Sequence, residues 1–235
     1  ARLMDELGYK YYWIIEHQAS YVGAITSPTV FLTAVARATE QLHVGAMIWV
    51  LPFHNPIQLA EEVATEDLLS NGRLDLGVGR GYQWGEYHRF NIAMDEADER
   101  FAEAMEVMTK AWTSTGPFEH RGKFWAFNDM TVQPKPVQTP HPPVWVAASS
   151  PNSMDRVASH NWNLLVGQGE TFQNVAEQVD YYRTAIGEAG YDYDPSRVTV
   201  ARALYTAPTM ARAASMCLTA PSGHNRPCFG SRGKG

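Results

Sequence analysis

A chain of 235 residues, 45% hydrophobic and 19% charged, has ordinary globular composition and enough apolar material for one large core. Its formal charge of −6 and the lack of any basic run exclude a nucleic-acid surface, and no stretch approaches the roughly 18 uninterrupted apolar residues of a membrane span. With no basic region and apolar core at its start, the chain is expected to be cytoplasmic.

Residues 1–7 read as the back half of a helix, with Leu3, Met4 and Leu7 on one face and Gly8 placed to stop it. Tyr11 to Ile15 is an aromatic and β-branched run of strand type that ends in Glu16-His17-Gln18. Ser27-Pro28 signals a helix start, followed by a stripe of Val30, Phe31, Ala34, Val35 and Ala38. Residues 41–51 form an apolar strand of the kind covered on both faces. A helix over residues 57–69 is predicted with Leu59, Val63 and Leu68 inward and Glu61, Glu62, Glu66 and Asp67 exposed.

Leu74, Leu76 and Val78 then alternate with small or polar residues after an Asn71-Gly72 turn, so a strand delivers Arg80 to its carboxyl end. Gly77, Gly79 and Gly81 are read as clearing room for a ligand, and Arg80 as a planar charged fork suited to phosphate. The glycine spacing is not that of a dinucleotide fingerprint, because Tyr82 occupies the third glycine position. A polar loop with Trp84, Tyr87, His88 and Arg89 leads to a long helix over residues 95–112 carrying Arg100 in its first turns. Residues 117–143 are rich in proline and aromatics and are expected to make an excursion with a hairpin over residues 118–127, the best candidate for a lid or interface.

Val144 to Ala148 is another buried-type strand, and Ser149-Ser150-Pro151-Asn152-Ser153 a hydroxyl-rich helix start. A strand over 163–166, a helix capped by Thr171 and a strand over 197–205 follow. Strand and helix alternate without a break, which predicts parallel crossovers and an α/β architecture. With about six strands and six helices, the pattern is three quarters of a (β/α)8 barrel lacking its first strand and last β/α unit. Residues 1–208 are assigned to this partial barrel and residues 209–235, where periodicity fails, to an atypical tail. Cys217 and Cys228 lie there without metal-ligand spacing.

Barrels of this class place the active site at the carboxyl ends of the strands, which collects Glu16-His17, Met47 to Trp49, Gly79 to Tyr82, Ser149-Ser150 and Gly167-Gln168. Arg80 and the helix start at Ser150 to Ser153 suit one phosphate. No carboxylate pair, nucleophile–histidine couple or metal set is apparent, so the chemistry is expected to reside in a bound cofactor.

The chain resembles the luciferase-like, flavin-dependent monooxygenases, whose type member is the bacterial luciferase α subunit. The resemblance rests on Glu16-His17 after an aromatic strand, Val44-Gly45 through Leu51-Pro52, Ala60-Glu61-Glu62, Gly72-Arg73-Leu74 through Arg80-Gly81, and Pro143-Val144-Trp145-Val146, in that order and spacing. It implies a TIM-type barrel that binds reduced FMN and activates oxygen. Arg80 and Arg100 would lie at the FMN phosphate beside Ser149, Ser150 and Ser153. Met47 and Ile48 would form a non-proline cis peptide against the flavin ring, Tyr82 would contribute a backbone contact, and His17 would be the active-site histidine.

Four positions depart from the luciferases. Gln18 replaces a second histidine, Gly79 a reactive cysteine, Ser149 a carboxylate and Gln168 an aromatic residue. Light emission from a long-chain aldehyde is therefore not expected, and oxidation of another small organic substrate, with reduced FMN delivered by a separate reductase, is. The resemblance also implies a homodimer through the helices near residues 28–38 and 57–69. Alternatives are a hydride-transfer enzyme using deazaflavin F420 on the same barrel, and a non-catalytic flavoprotein or inactive fragment.

Overall fold

The computed structural model describes residues 1–19, 25–204 and 206–219, which fall into two compact units, Ala1–Ala147 and Ala148–Gly235. In chain order the first unit contains α1 (Arg2–Glu6), β1 (Tyr11–Ile14), α2 (Pro28–Arg37), β2 (His43–Ala46), β3 (Trp49–Val50), α3 (Pro56–Ser70) and β4 (Leu74–Gly79). Then come α4 (Trp84–Arg89), α5 (Ala97–Thr113), the hairpin strands β5 (Phe118–Arg121) and β6 (Ala126–Met130), and β7 (Val144–Ala147). Its sheet is parallel, ordered β1-β2-β4-β7, with β3 also alongside β4.

The period of two in β4 decides which face is which. Leu74, Leu76 and Val78 are fully buried on the helix side, each contributing about 2 kcal/mol of apolar burial. On the same side, Tyr12 of β1 stacks on Phe31 of α2. The opposite face carries Tyr11 and Trp13 of β1, His43 of β2, Asp75 of β4 and Trp145 of β7. There the Asp75 carboxylate accepts hydrogen bonds from Trp145 Nε1 at 2.7 Å and His43 Nδ1 at 2.8 Å, a buried acceptor satisfied from two neighbouring strands.

The helices obey their start and stop signals with some corrections. Asn55 caps α3 by accepting from the Ile57 and Gln58 amides, Pro56 opens it, and Asn71 ends it at φ 58°. Glu66 and Asp67, expected on the outer face, are fully buried, while Leu68 is exposed. Asp67 has a reason to be inside: it accepts from the backbone and side chain of Gln138 and so ties the loop before β7 to α3. In α2 the buried stripe is Leu32, Val35 and Ala36, with Val30 74% exposed, so the expected phase was off by part of a turn. Leu3 and Leu7 of the first helical turn are likewise exposed, and Asp5 instead accepts the amides of Glu40, Gln41 and Leu42.

The single strand expected over residues 41–51 is two, interrupted at a cis Met47–Ile48 peptide bond and closed by a 3-10 turn, Leu51–Phe53. The expected polar loop at 84–89 is α4, a short helix that buries Glu86 and Tyr87. The β5–β6 hairpin forms where expected and is held to α5 chiefly by Glu103, which accepts the amides of Lys123, Phe124 and Trp125 and contacts His120 Nε2 at 3.1 Å, while Lys123 also pairs with Glu99.

The second unit contains α6 (Pro151–Ser159), β8 (Asn163–Val166), α7 (Phe172–Glu188), β9 (Val198–Val200) and α8 (Met210–Thr219). β8 and β9 pair in parallel, and β9 is shorter than the strand expected over 197–205. Of Val175, Val179, Tyr182 and Ile186, which the sequence pattern puts on the inner side of α7, Tyr182 and Ile186 are fully buried, and the Tyr182 hydroxyl donates to the Trp162 carbonyl at 2.7 Å. The expected tail begins with α8; His224 and Cys228 lie outside the described residues, as does the Cys217 side chain.

Candidate functional site

The carboxyl edge of the first unit's sheet gathers His17 and Glu16 after β1, Met47 and Ile48 between β2 and β3, and Arg80 and Tyr82 after β4. Parallel strands place these ends side by side by construction.

Two buried carboxylates organise this edge: Glu16, which the sequence places at the end of β1, and Glu86, which it did not single out. Glu16, 2% exposed, accepts the Val50 amide at 2.7 Å, His54 Nε2 at 2.9 Å and Gln18 Nε2 at 2.7 Å, so the end of β1 is tied to β3 and to the turn beyond it. Glu86 of α4, also 2% exposed, uses Oε1 to accept the Gln18 amide at 2.8 Å and to meet His17 Nδ1 at 3.1 Å. The Gln83 amide nitrogen lies 3.1 Å from His17 Nδ1 and 3.5 Å from Nε2. The structure thus adds a histidine–carboxylate couple that the sequence did not show. Glu86 is 69 positions from His17 in sequence and carries no local signal beyond an acidic residue flanked by aromatics.

The glycines also have a different purpose from the one expected. A Cβ on Gly77 would fall 1.9 Å from the Ala46 carbonyl oxygen, and one on Gly79 would fall 2.2 Å from Ile48 Cδ1. The space they clear is thus filled by the neighbouring strand and by the side chain of the cis peptide segment, not kept for a ligand. The result is an apolar wall at the strand end, with Ile48 packed over Gly79.

Arg80 follows this wall with a half-exposed side chain, its Nε 3.7 Å from Asp98 Oδ1, beyond hydrogen-bond length. Its backbone is fixed because the Tyr87 hydroxyl donates to the Arg80 carbonyl. Burial pushes the Tyr87 hydroxyl up to about 12, against the opposing pull of Arg80 and Arg100, so it stays a donor throughout the neutral range. Arg100 is more committed than expected: it donates to Glu96 at 2.9 Å and its guanidinium lies 4.3 Å from the Phe124 ring centre. Tyr82 is 64% exposed.

In the second unit, Ser150 caps α6 reciprocally with Ser153. Ser153 Oγ accepts the Ser150 amide at 3.1 Å, the two hydroxyls are 2.9 Å apart, and Ser149 is exposed. The hydroxyls expected to face a phosphate are thus engaged with each other and with their own helix. Among the described residues no group of three or more His, Cys, Asp or Glu is placed to hold a metal ion, and no helix is long and apolar enough to cross a membrane.

Residues 1–226 match the family described as luciferase-like monooxygenase. The chain is 36% identical over 167 residues to the oxygenase component of a flavin-dependent trigonelline monooxygenase from Acinetobacter baylyi, covering 70% of this chain and 46% of that protein. It is 32% identical over 161 residues to an FMNH2-dependent dimethylsulfone monooxygenase from Pseudomonas putida, covering 67% and 44%. The crystal structure of the monooxygenase RslO1 from Streptomyces bottropensis superimposes with a TM-score of 0.85 at 30% identity, covering 91% of this chain and 65% of that one. The chain spans about half the length of the curated relatives it matches.

Proposed function

Since the chain belongs to the luciferase-like monooxygenase family, whose α/β barrel it shares in part, we propose that it works in a flavin-dependent monooxygenase that oxidises a small organic substrate with O2. In this proposal the carboxyl edge of the first unit holds reduced FMN. The relatives' named substrates, trigonelline and dimethylsulfone, support a small organic molecule as the substrate.

The observation that carries the proposal is Arg80: a half-exposed, permanently charged fork at the end of a fully buried strand, its backbone held by Tyr87. The residues present fit FMN. Arg80 takes the phosphate through charge-assisted hydrogen bonds, and Arg100, occupied by Glu96 and Phe124, adds positive potential nearby. Met47 and Ile48 form the wall for a flat ring, and the Tyr82 backbone borders it. Ser149, Ser150 and Ser153 remain candidates through the resemblance alone. When bound, the reduced flavin supplies the electrons and the oxygen activation. The protein's own part is to bind and orient it, and to move a proton at His17, whose ring is already held by Glu86 and Gln83.

A separate reductase is proposed to supply the reduced FMN. A homodimer through α2 and α3 is proposed too, supported by the exposed Val30 and Phe31; light scattering of the purified protein tests it. The function itself is tested by anaerobic titration with reduced FMN and, side by side, reduced F420, followed by mixing with oxygen in a stopped-flow instrument. Tighter binding of FMN and protein-dependent reoxidation are expected. Tighter F420 binding selects the hydride-transfer alternative, and reoxidation identical to that of free flavin contradicts a monooxygenase.

A further inference from the structure

The contact between α4 and the end of β1 fixes more than the position of His17. Glu86 Oε1 accepts the backbone N–H of Gln18 at 2.8 Å, so that oxygen is already an acceptor. The same oxygen lies 3.1 Å from His17 Nδ1. A carboxylate oxygen can only accept, and the hydrogen between the two atoms therefore belongs to the imidazole. With Nδ1 carrying the hydrogen, the neutral ring presents its lone pair at Nε2; the Gln83 amide nitrogen, 3.1 Å from Nδ1 and 3.5 Å from Nε2, is the competing donor for Nδ1, and in this arrangement it donates to Nε2 instead. Free imidazole side chains favour the other arrangement, so the protein environment imposes this one.

We propose that Glu86 is a positioning residue that locks neutral His17 into the Nδ1–H tautomer, making Nε2 the proton acceptor of the site. The inference rests on His17 being the site's histidine, as proposed above. It adds which nitrogen works and which residue decides that. The logic is that of any carboxylate-oriented imidazole: the partner of one ring nitrogen sets the chemistry of the other. Glu86 suits the task because it is 2% exposed and is itself fixed by the Gln18 amide, so the ring cannot exchange it for water. Nearby charge reaches the pair through its neighbours: Tyr87, adjacent to Glu86 on α4, feels Arg80, Asp98 and Arg100, and Gln18, whose amide Glu86 accepts, also donates to Glu16, which meets His54.

The test uses the flavin-free protein, so it stays separate from whether FMN binds. With 15N-labelled histidine, NMR at pH 8 distinguishes a protonated ring nitrogen from an unprotonated one, and loss of a signal set in His17→Asn assigns the ring. The wild-type protein is expected to show His17 with Nδ1 protonated and Nε2 unprotonated. Glu86→Gln is expected to keep this pattern, because its amide oxygen must still face the Gln18 N–H and so still accepts from Nδ1. Glu86→Ala is expected to shift the ring to a majority of the Nε2–H form. A circular dichroism melt of both variants establishes that they are folded; if Glu86→Ala does not fold, the wild-type and Glu86→Gln spectra decide. A wild-type His17 in the Nε2–H form overturns the proposal, as does an unchanged tautomer in folded Glu86→Ala. A failure of FMN to bind would leave these spectra unaltered and would count against the proposed function alone.

Discussion

The carboxyl edge of the sheet and the seam between α2 and α3 both bury glutamates, and they treat them in opposite ways. At the edge, Glu16 and Glu86 accept hydrogen bonds from backbone amides and meet histidines, two carboxylates wired into the ends of β1 and β3. In the seam, Glu66 is fully buried, and among the described residues neither of its oxygens has a hydrogen-bond partner. Burial pushes its carboxyl up to about 9, with Glu62 and Asp67 adding to the effect, so it is a neutral acid at pH 7. Burial alone therefore does not mark a functional acid. What separates the two regions is whether the buried oxygen has a donor to hold and a base to orient.

The largest expected effect breaks the edge itself. Gly77→Ala places a methyl group 1.9 Å from the Ala46 carbonyl oxygen, which is backbone and cannot rotate away. Urea unfolding should show a loss of about 4 kcal/mol or more, in the exceptional range for one substitution. A loss below about 1 kcal/mol would mean that β2 and β4 are less tightly packed than the edge requires.

Glu66→Gln sharpens the seam's side of the comparison with the opposite sign. The folded pKa of Glu66 is raised above the ordinary carboxyl value of 4.5, so its stability contribution is complete below that value and is lost as pH rises toward about 9. Glutamine mimics the protonated acid without having to keep a proton. The variant should exceed the wild type in stability by under about 1 kcal/mol at pH 5 and by about 3 kcal/mol at pH 7. A gap that does not grow with pH would show that Glu66 has a partner after all.

A smaller effect probes the wall. Gly79→Ala meets the flexible end of Ile48 at 2.2 Å and should cost about 1–3 kcal/mol, most of it recovered by adding Ile48→Val, which removes the clashing Cδ1. Additive losses in the double variant would contradict direct packing of Ile48 on Gly79.

The alternation of strands and helices was legible because each strand of the first unit's sheet is short and apolar and each helix carries local start and stop residues such as Asn55-Pro56 and Asn71. The position of Arg80 was legible for the same reason: a strand end follows directly from where the period of two stops. The inward turn of Glu66 and Asp67 was not legible, because charge is a poor guide to helix phase when a partner such as Gln138 lies 71 residues away. Nor was the purpose of Gly77 and Gly79, since glycine marks a close approach without saying what approaches. Glu86 was hidden for the most basic reason. A contact across 69 residues leaves no mark in either local stretch.

The central claim, that the β4 end is the phosphate side of a flavin site, is tested most directly by calorimetric titration of the wild type and Arg80→Ala with reduced FMN and with reduced riboflavin, which lacks the phosphate. Losing one charge-assisted contact of about 1.5–3 kcal/mol predicts FMN binding weakened about 10- to 100-fold in the variant, with riboflavin affinity unchanged. Equal weakening of both ligands, or none of either, would contradict the assignment of Arg80 to the phosphate.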